Sequence, residues 1–372
     1  MQRSLWILAN SALLLALVVV LLGGWTRLNY AGLGCPDWPG CYGSLILPSE
    51  PDRLQQAQSA FPDHPIDTYK GWLEMTHRYA AGTLGLLILG IAIISYKVRK
   101  TEFSLGYLPT LLLILVIMQA LFGMWTVTLK LLPPIVTLHL LGGLLTLTLL
   151  FMLQARLRGI RNDLIPAATE KARRSDDLTP SGITAANNTP ANNTIADTGA
   201  YTGPGIRLKV FIGVILLFFQ LALGGWTSAN YAGWACSDWI VCHQDINVTL
   251  DFARGFELTT DLEANYEGGL LPLEARAAIQ MTHRVMALLL ISYLLWLAWN
   301  LQKLSSAFKR PLQLVLLLSI TQAGLGVANV IWAVPLPLAT AHHAGAVCLL
   351  LAMLWLYQRS TRFSKGGTYA AL

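Results

Sequence analysis

The stretch Trp72–Arg78, which reads WLEMTHR, opens a long apolar run and is repeated later in the chain as Gln280–Arg284, which reads QMTHR. On a helix, residues three and four positions apart lie on the same face, so Glu74, His77 and Arg78 are neighbours. The second copy keeps the histidine and the arginine but carries an amide where the first has the carboxylate. The chain thus has two matching histidine sites, of which only one has an acid beside it.

The composition is that of a membrane protein. Of the 372 residues, 54% are hydrophobic and 12% are charged, with a mean hydropathy of +0.52, whereas a soluble domain carries about 25% charged residues. Eight apolar runs are long enough to cross a bilayer, which takes about 20 residues of helix. The runs are Leu5–Gly24, Trp72–Tyr96, Tyr107–Leu129, Ile135–Leu153, Val210–Ala229, Ala277–Leu301, Pro311–Trp332 and Leu338–Tyr357. The sequence therefore predicts an all-α integral membrane protein with eight transmembrane helices.

Basic residues lie in alternate loops, which indicates the topology. They cluster at Arg3 and in the segments 97–100, 156–209, 303–310 and 359–365. By the positive-inside rule these segments face the cytoplasm, so both termini are expected there. The formal net charge of +6 follows from this topology and predicts no nucleic-acid partner.

The first apolar run follows only a few residues and ends without a small-residue cleavage site, so we interpret it as the first span rather than as a signal peptide. No Arg- and Ser-rich transit segment precedes it, which favours a bacterial inner membrane over an organelle. The expected localisation is therefore a multi-pass bacterial inner-membrane protein.

The chain contains a duplication. Residues 24–41 and 225–242 agree at most positions with a constant separation of 201, and both cysteines of each loop are included. Further on, His139 and its neighbours match His342 and its neighbours with a separation of 203. An even number of spans per unit gives both units the same orientation. The sequence thus predicts two tandem four-helix bundles related by a pseudo-two-fold axis along the membrane normal.

Three regions follow from this repeat. Residues 1–155 are expected to form the first four-helix half, and residues 208–372 the second. Between them, residues 156–207 become rich in Asn, Thr, Ala, Ser, Pro and Gly. Such a composition cannot bury enough apolar surface to offset the loss of chain entropy, so we predict a disordered cytoplasmic linker.

Histidines recur at the outer start of the even-numbered spans: His77, His139, His283 and the adjacent pair His342 and His343. Two imidazoles at similar depth in each half can ligate one heme iron from both sides. Zinc would need about four ligands together, which two separated pairs do not offer. Neighbouring helical residues point about 100° apart, and the separation of 203 from His139 selects His342 as the ligand.

Two arginines, Arg78 and Arg284, follow the histidines and are expected to pair with heme propionates. The alternative for Arg78 is an ion pair with Glu74, one helical turn away. Such a pair would not explain why Gln280 replaces the acid while Arg284 stays, since a purely structural pair is expected to change both partners or neither. Glu74 is therefore the candidate catalytic group.

Two cysteine pairs lie in the outer loops, Cys35 with Cys41 and Cys236 with Cys242. These loops face an oxidising compartment in the predicted topology, so both pairs are expected to form disulfides. Two interpretations remain open for them. The disulfides either stabilise the loops, as structural staples, or take part in redox exchange with a substrate or partner.

The loop GLGCPDWPGC at residues 32–41, EMTHR at 74–78, QMTHR at 280–284 and the duplicated four-span unit resemble the heme A synthase family, in its bacterial form with paired loop cysteines. The resemblance covers nearly the whole chain except the linker. It implies an oxidoreductase that converts the C8 methyl group of heme O into a formyl group by successive hydroxylations. The product, heme A, serves cytochrome c oxidase biogenesis.

The resemblance also implies roles for the candidate residues, including axial ligation of two heme irons by the four histidines. In the family, the second half holds a heme b cofactor and the first half holds the substrate heme O. Carried over to this chain, the roles are cofactor binding for His283, His342 and Arg284, substrate heme binding for His77, His139 and Arg78, and catalysis for Glu74.

The implied partners are heme O synthase as donor of the substrate, cytochrome c oxidase assembly factors, and membrane lipid. The sequence leaves open the electron donor, the oxygen source and whether the chain forms a homo-oligomer. Two other functions fit the histidine pairs: a di-heme membrane cytochrome that takes electrons from quinol, and a non-catalytic heme carrier. An acid at Glu74 with no counterpart in the second half argues against the cytochrome.

Overall fold

A computed structural model describes residues 2–100, 105–176, 204–238, 242, 248–258, 261–303 and 306–363. In these ranges the regular secondary structure is α-helical, with a short 3₁₀ turn at Ser306–Phe308 and no strand. The α-helices are α1 (Gln2–Leu28), α2 (Pro51–Ala60), α3 (Thr68–Lys97), α4 (Leu108–Thr128), α5 (Pro133–Asp176), α6 (Pro204–Ala229), α7 (Phe252–Gly255), α8 (Leu273–Gln302), α9 (Lys309–Ile331) and α10 (Leu336–Phe363).

Eight of these helices are long and apolar enough to cross a membrane, with candidate spans of 21 to 30 residues. They coincide with the eight apolar runs, so the prediction of an all-α membrane protein with eight spans is confirmed. The two short helices, α2 and α7, lie in the loops between α1 and α3 and between α6 and α8.

The helices of the two halves pack in the same pattern. In the first half, α1 and α4 each contact both α3 and α5, and in the second half α6 and α9 each contact both α8 and α10. The two halves meet at a seam, where α1 packs against α10 and α5 packs against α6. The first span of each half therefore meets the fourth span of the other. The pseudo-two-fold axis between the halves stays a prediction.

Equivalent tyrosines meet at this seam. Tyr30 and Tyr231, which are 201 residues apart, stack with ring centroids 5.8 Å apart and planes 12° from parallel. Arg27 reaches across from the first half and donates hydrogen bonds to the Tyr231 hydroxyl at 3.0 Å and to the Ser228 carbonyl at 2.6 Å. Its guanidinium also lies 4.3 Å from the centre of the Tyr231 ring.

Part of the segment 156–207 is helical. The sequence predicts disorder from residue 156, whereas α5 continues as helix to Asp176 and α6 begins at Pro204. The low-complexity stretch 177–203 lies outside the described residues. The domain boundaries at 155 and 208 stay predictions.

Candidate functional site

The first histidine pair is formed by α3 and α5. The rings of His77 and His139 lie with centroids 6.4 Å apart and planes at 85°. A glycine from a neighbouring helix faces each ring: a Cβ atom on Gly23 of α1 would come within 2.9 Å of His77 Cε1, and one on Gly123 of α4 within 3.4 Å of His139 Cε1. These glycines leave the space that the two rings occupy.

The second half repeats this arrangement. A Cβ atom on Gly224 of α6 would lie 3.4 Å from His283 Cε1, and one on Gly326 of α9 would lie 3.5 Å from His342 Cε1. The role of these four glycines was not predicted, although both glycine positions recur with the separations of the repeat, 201 between α1 and α6 and 203 between α4 and α9.

His343 points toward the other half. Its Nε2 atom lies 3.1 Å from the Val20 carbonyl of α1, and its ring packs against Gly24. In the first half the equivalent of His343 is Leu140, which packs in the same way against Gly225 of α6. This placement favours His342 rather than His343 as the partner of His283.

The donor set suits heme better than a bare metal ion. Among the described residues, no three His, Cys, Asp or Glu side chains come together as a metal site. Two imidazoles complete six-coordinate iron when a porphyrin supplies four nitrogens. The Nδ1 atoms of His77, His139 and His342 are buried and have no hydrogen-bond partner in the described part of the chain. Buried polar atoms of this kind call for an explanation, and a site built for a further group supplies one.

Glu74 is tied to the first disulfide loop. The residue is 5% exposed, and one carboxylate oxygen accepts a hydrogen bond from the Cys35 backbone N–H at 2.9 Å. The other oxygen pairs with the Arg78 guanidinium. Arg78 also donates to the carbonyls of Asp37 at 2.9 Å and of Gly40. Glu74 therefore links α3 to the cysteine loop. It also forms the ion pair with Arg78 that is the alternative to a propionate contact for this arginine.

Gln280 fills the equivalent place in the second half. Its Oε1 atom accepts a hydrogen bond from the Cys236 N–H at 2.7 Å, and its amide nitrogen donates to the Gly233 carbonyl at 2.7 Å. Arg284 instead donates to the carbonyls of Asp238 at 2.6 Å and Cys236 at 3.3 Å. Asp238 is the equivalent of Asp37, so each arginine has a loop carbonyl acceptor whether or not an acid is present. The retention of Arg284 beside Gln280 therefore does not argue against a structural role for the Glu74–Arg78 pair.

Arg78 and Arg284 both donate hydrogen bonds to backbone carbonyls of the cysteine loops, so neither guanidinium is held in place by a carboxylate alone. The expected pairing with heme propionates stays a prediction. The structure adds a second role for the arginines, which is to fasten each loop to the histidine helix.

Both predicted disulfides are present, Cys35–Cys41 and Cys236–Cys242. Both cysteines of the first pair are 0% exposed, so a partner protein could reach them only after the loop moved. This burial supports the interpretation of the first disulfide as a staple.

Together, the fold and the site define a duplicated eight-span membrane protein in which each half carries two histidines at equivalent positions and a disulfide-closed loop. Residues 5–354 match the family model for cytochrome oxidase assembly proteins. The chain belongs to this family.

Curated relatives align with this chain over almost their full length. The chain is 36% identical to a heme A synthase of Shewanella oneidensis, over 97% of this chain and 98% of the relative. It is 27% identical to a heme A synthase of Nitrosomonas eutropha over 96% and 94% of the two chains. It is also 23% identical to a heme A synthase of Bacillus licheniformis over 94% and 95%.

Proposed function

We propose that this protein is a heme A synthase, which oxidises the C8 methyl group of heme O to a formyl group by successive hydroxylations. The observation that carries the proposal is the pair of equivalent histidine sites that differ at Glu74 and Gln280, in a chain similar to heme A synthases from end to end. Two sites with the same ligands but different neighbours suit one heme that is retained and one that is converted.

The second half is the proposed cofactor site, with His283 and His342 as the axial ligands of heme b and Arg284 near its edge. Bound there, heme b would supply one-electron redox chemistry. His77 and His139 are proposed to hold the substrate heme O in the first half, with Arg78 close to the loop. The close approach of the His77 and His139 rings supports a shared ligand in the first half, and the exchange of Glu74 for Gln280 supports the division between the halves.

Glu74 is the proposed catalytic residue. A carboxylate beside the reacting methyl group can accept a proton or stabilise developing positive charge. Both of its oxygens are engaged, by the Cys35 amide and by Arg78. Proton acceptance would require the ion pair to open, whereas electrostatic stabilisation would not.

The proposed setting is a bacterial inner membrane with both termini in the cytoplasm. Heme O would arrive from heme O synthase through the surrounding lipid, and heme A would pass to cytochrome c oxidase assembly. The alternation of basic loops supports this orientation.

The deciding experiment uses a host that makes heme O but no heme A. The full-length chain is expressed in its membranes, and the pigments are extracted and separated by chromatography. Formyl-heme formed from heme O supports the synthase. Heme b and unchanged heme O bound to the protein would instead indicate the di-heme cytochrome or the heme carrier.

A further inference from the structure

The first cysteine loop exposes two aliphatic side chains just beyond its disulfide. Leu45 and Ile46 are 73% and 67% exposed, whereas the next residue, Leu47, is buried in the cluster that contains the disulfide. The chain before them forms a tight turn, in which Cys41 and Ser44 exchange backbone hydrogen bonds of 2.7 and 3.2 Å. The two exposed side chains therefore project from a braced part of the loop.

This part of the loop lies beside the lipid-facing side of α3. The Leu45 carbonyl accepts a hydrogen bond from the Tyr79 hydroxyl. Tyr79 is itself exposed, and so is Leu86, which lies two turns deeper on the same face of α3. An exposed leucine at that depth of a transmembrane helix faces acyl chains. Leu45 and Ile46 thus stand at the outer end of a surface that is in contact with lipid.

The depth of Tyr79 follows from the charges on α3. No charged residue occurs between Arg78 and Lys97, and the stretch 79–96 spans about 27 Å of helix. The hydrocarbon core of a bilayer is about 30 Å thick. Tyr79 therefore lies at the outer boundary of the hydrocarbon, where tyrosine is enriched in membrane proteins. Its hydrogen bond holds Leu45 at the level of the lipid headgroups rather than in the water above them.

The second half lacks both features of this arrangement. The separation of 206 that relates Arg78 to Arg284 places Val285, which has no hydroxyl group, at the position of Tyr79. The separation of 201 that relates the cysteine loops places Asn247 at the position of Ile46. The tether and the aliphatic pair therefore occur together in the first half and are both lost in the second.

We propose that Leu45 and Ile46 insert into the outer leaflet of the bilayer and anchor the first cysteine loop there. Residues 42–49 carry no charge, so this surface fits acyl chains rather than a charged protein or ligand. Moving exposed aliphatic side chains from water into an apolar phase is favourable. This inference goes beyond the proposed function, because it depends on no heme and no reaction.

The anchor acts on the loop that engages the candidate catalytic acid. The Cys35 amide of this loop donates to Glu74, and its Asp37 carbonyl accepts from Arg78. The loop is then fastened on two sides, by α3 and by the membrane. In the second half, where Gln280 replaces the acid, only the contacts with the histidine helix are present among the described residues.

The test measures where the loop lies relative to the bilayer. A single cysteine replaces Ile46 in the full-length chain, and Cys348→Ser removes the native free thiol. The new thiol is labelled with a nitrobenzoxadiazole fluorophore, and the protein is reconstituted into vesicles of phosphatidylcholine and phosphatidylglycerol. Two quenchers are compared: iodide in the water, and lipid that carries a nitroxide near the headgroup end of its acyl chain.

Phe252→Cys in the same background is the matched control. Phe252 is also an exposed apolar residue of an outer loop, but its neighbour Asp251 donates its N–H to the Glu274 carbonyl. Glu274 lies about 16 Å of helix above Val285, the equivalent of Tyr79. We therefore expect the label at Phe252 to lose its fluorescence mainly to iodide and the label at Ile46 to lose it mainly to the nitroxide lipid.

Two results would overturn the proposal. Iodide quenching at Ile46 as strong as at Phe252 would place the loop in water, and protection from both quenchers would mean that another protein copy covers it. Leu45→Cys repeats the measurement if the labelled Ile46 variant does not accumulate, with the same result expected. None of these readings uses heme A, so a failure of the anchor and a failure of the synthase function are seen separately.

Discussion

Glu74 and Gln280 accept hydrogen bonds from equivalent backbone amides, those of Cys35 and Cys236, at 2.9 Å and 2.7 Å. An amide therefore meets the structural requirement of this position. The carboxylate adds the capacity to take a proton or carry charge, and only the first half has it. This separation of structural and chemical roles makes the exchange of Glu74 interpretable.

We expect Glu74→Gln to fold and to keep its heme b, because Gln280 already occupies the same place in the second half. Loss of a positioned acid–base group typically lowers the rate by about 10²–10⁴-fold, so the variant should accumulate heme O. Pigment chromatography measures this directly. The control Gln280→Glu should gain no activity, and near-normal heme A from Glu74→Gln would reduce Glu74 to an ion-pair partner of Arg78.

The adjacent histidines of α10 should respond differently to substitution. His342→Ala should remove the low-spin heme b spectrum, because one axial ligand is lost. His343→Leu should keep it, since Leu140 fills the equivalent place in the first half and His343 contacts the Val20 carbonyl of the other half. Absorption spectra of the reduced, purified variants distinguish the two. The opposite pattern would mean that the repeat alignment is displaced by one residue.

At the scale of elements, each cysteine loop and its histidine helix form one structural unit. The loop closes through its disulfide, and the arginine after each histidine binds the loop carbonyls. In the first half the same loop also donates the Cys35 amide to the candidate catalytic acid. A change in this loop should therefore reach Glu74 without altering any heme ligand.

Replacing Cys35 and Cys41 together by serine should lower activity more than replacing Cys236 and Cys242. A disulfide that closes so small a loop contributes about 2 kcal/mol through the unfolded state, so both double variants should also unfold at lower temperature. Heme A formation and thermal unfolding of the purified proteins provide the two measurements. Equal, small losses of activity for both pairs would mean that the disulfides act as staples only.

At the scale of the whole molecule, the eight spans and the duplication could be predicted because both are properties of the linear sequence. The length of an apolar run and a constant separation between motifs need no knowledge of how helices are rotated. The partners of Arg78 could not be predicted in this way, since they depend on how the loop folds over α3.

Arg27→Ser should weaken the contact between the two halves. The substitution introduces serine, the residue type at the equivalent position of the second half, Ser228. The variant loses hydrogen bonds to the Tyr231 hydroxyl and the Ser228 carbonyl and a contact with the Tyr231 ring. Hydrogen bonds from charged groups contribute about 1.5–3 kcal/mol, so the unfolding temperature should fall by several degrees. Each half keeps its own histidine pair, so heme b content should be unchanged before heating. Ser228→Ala is the control, because Arg27 binds only the backbone carbonyl there. If Arg27→Ser loses heme b without a lower unfolding temperature, Arg27 serves the heme site rather than the seam.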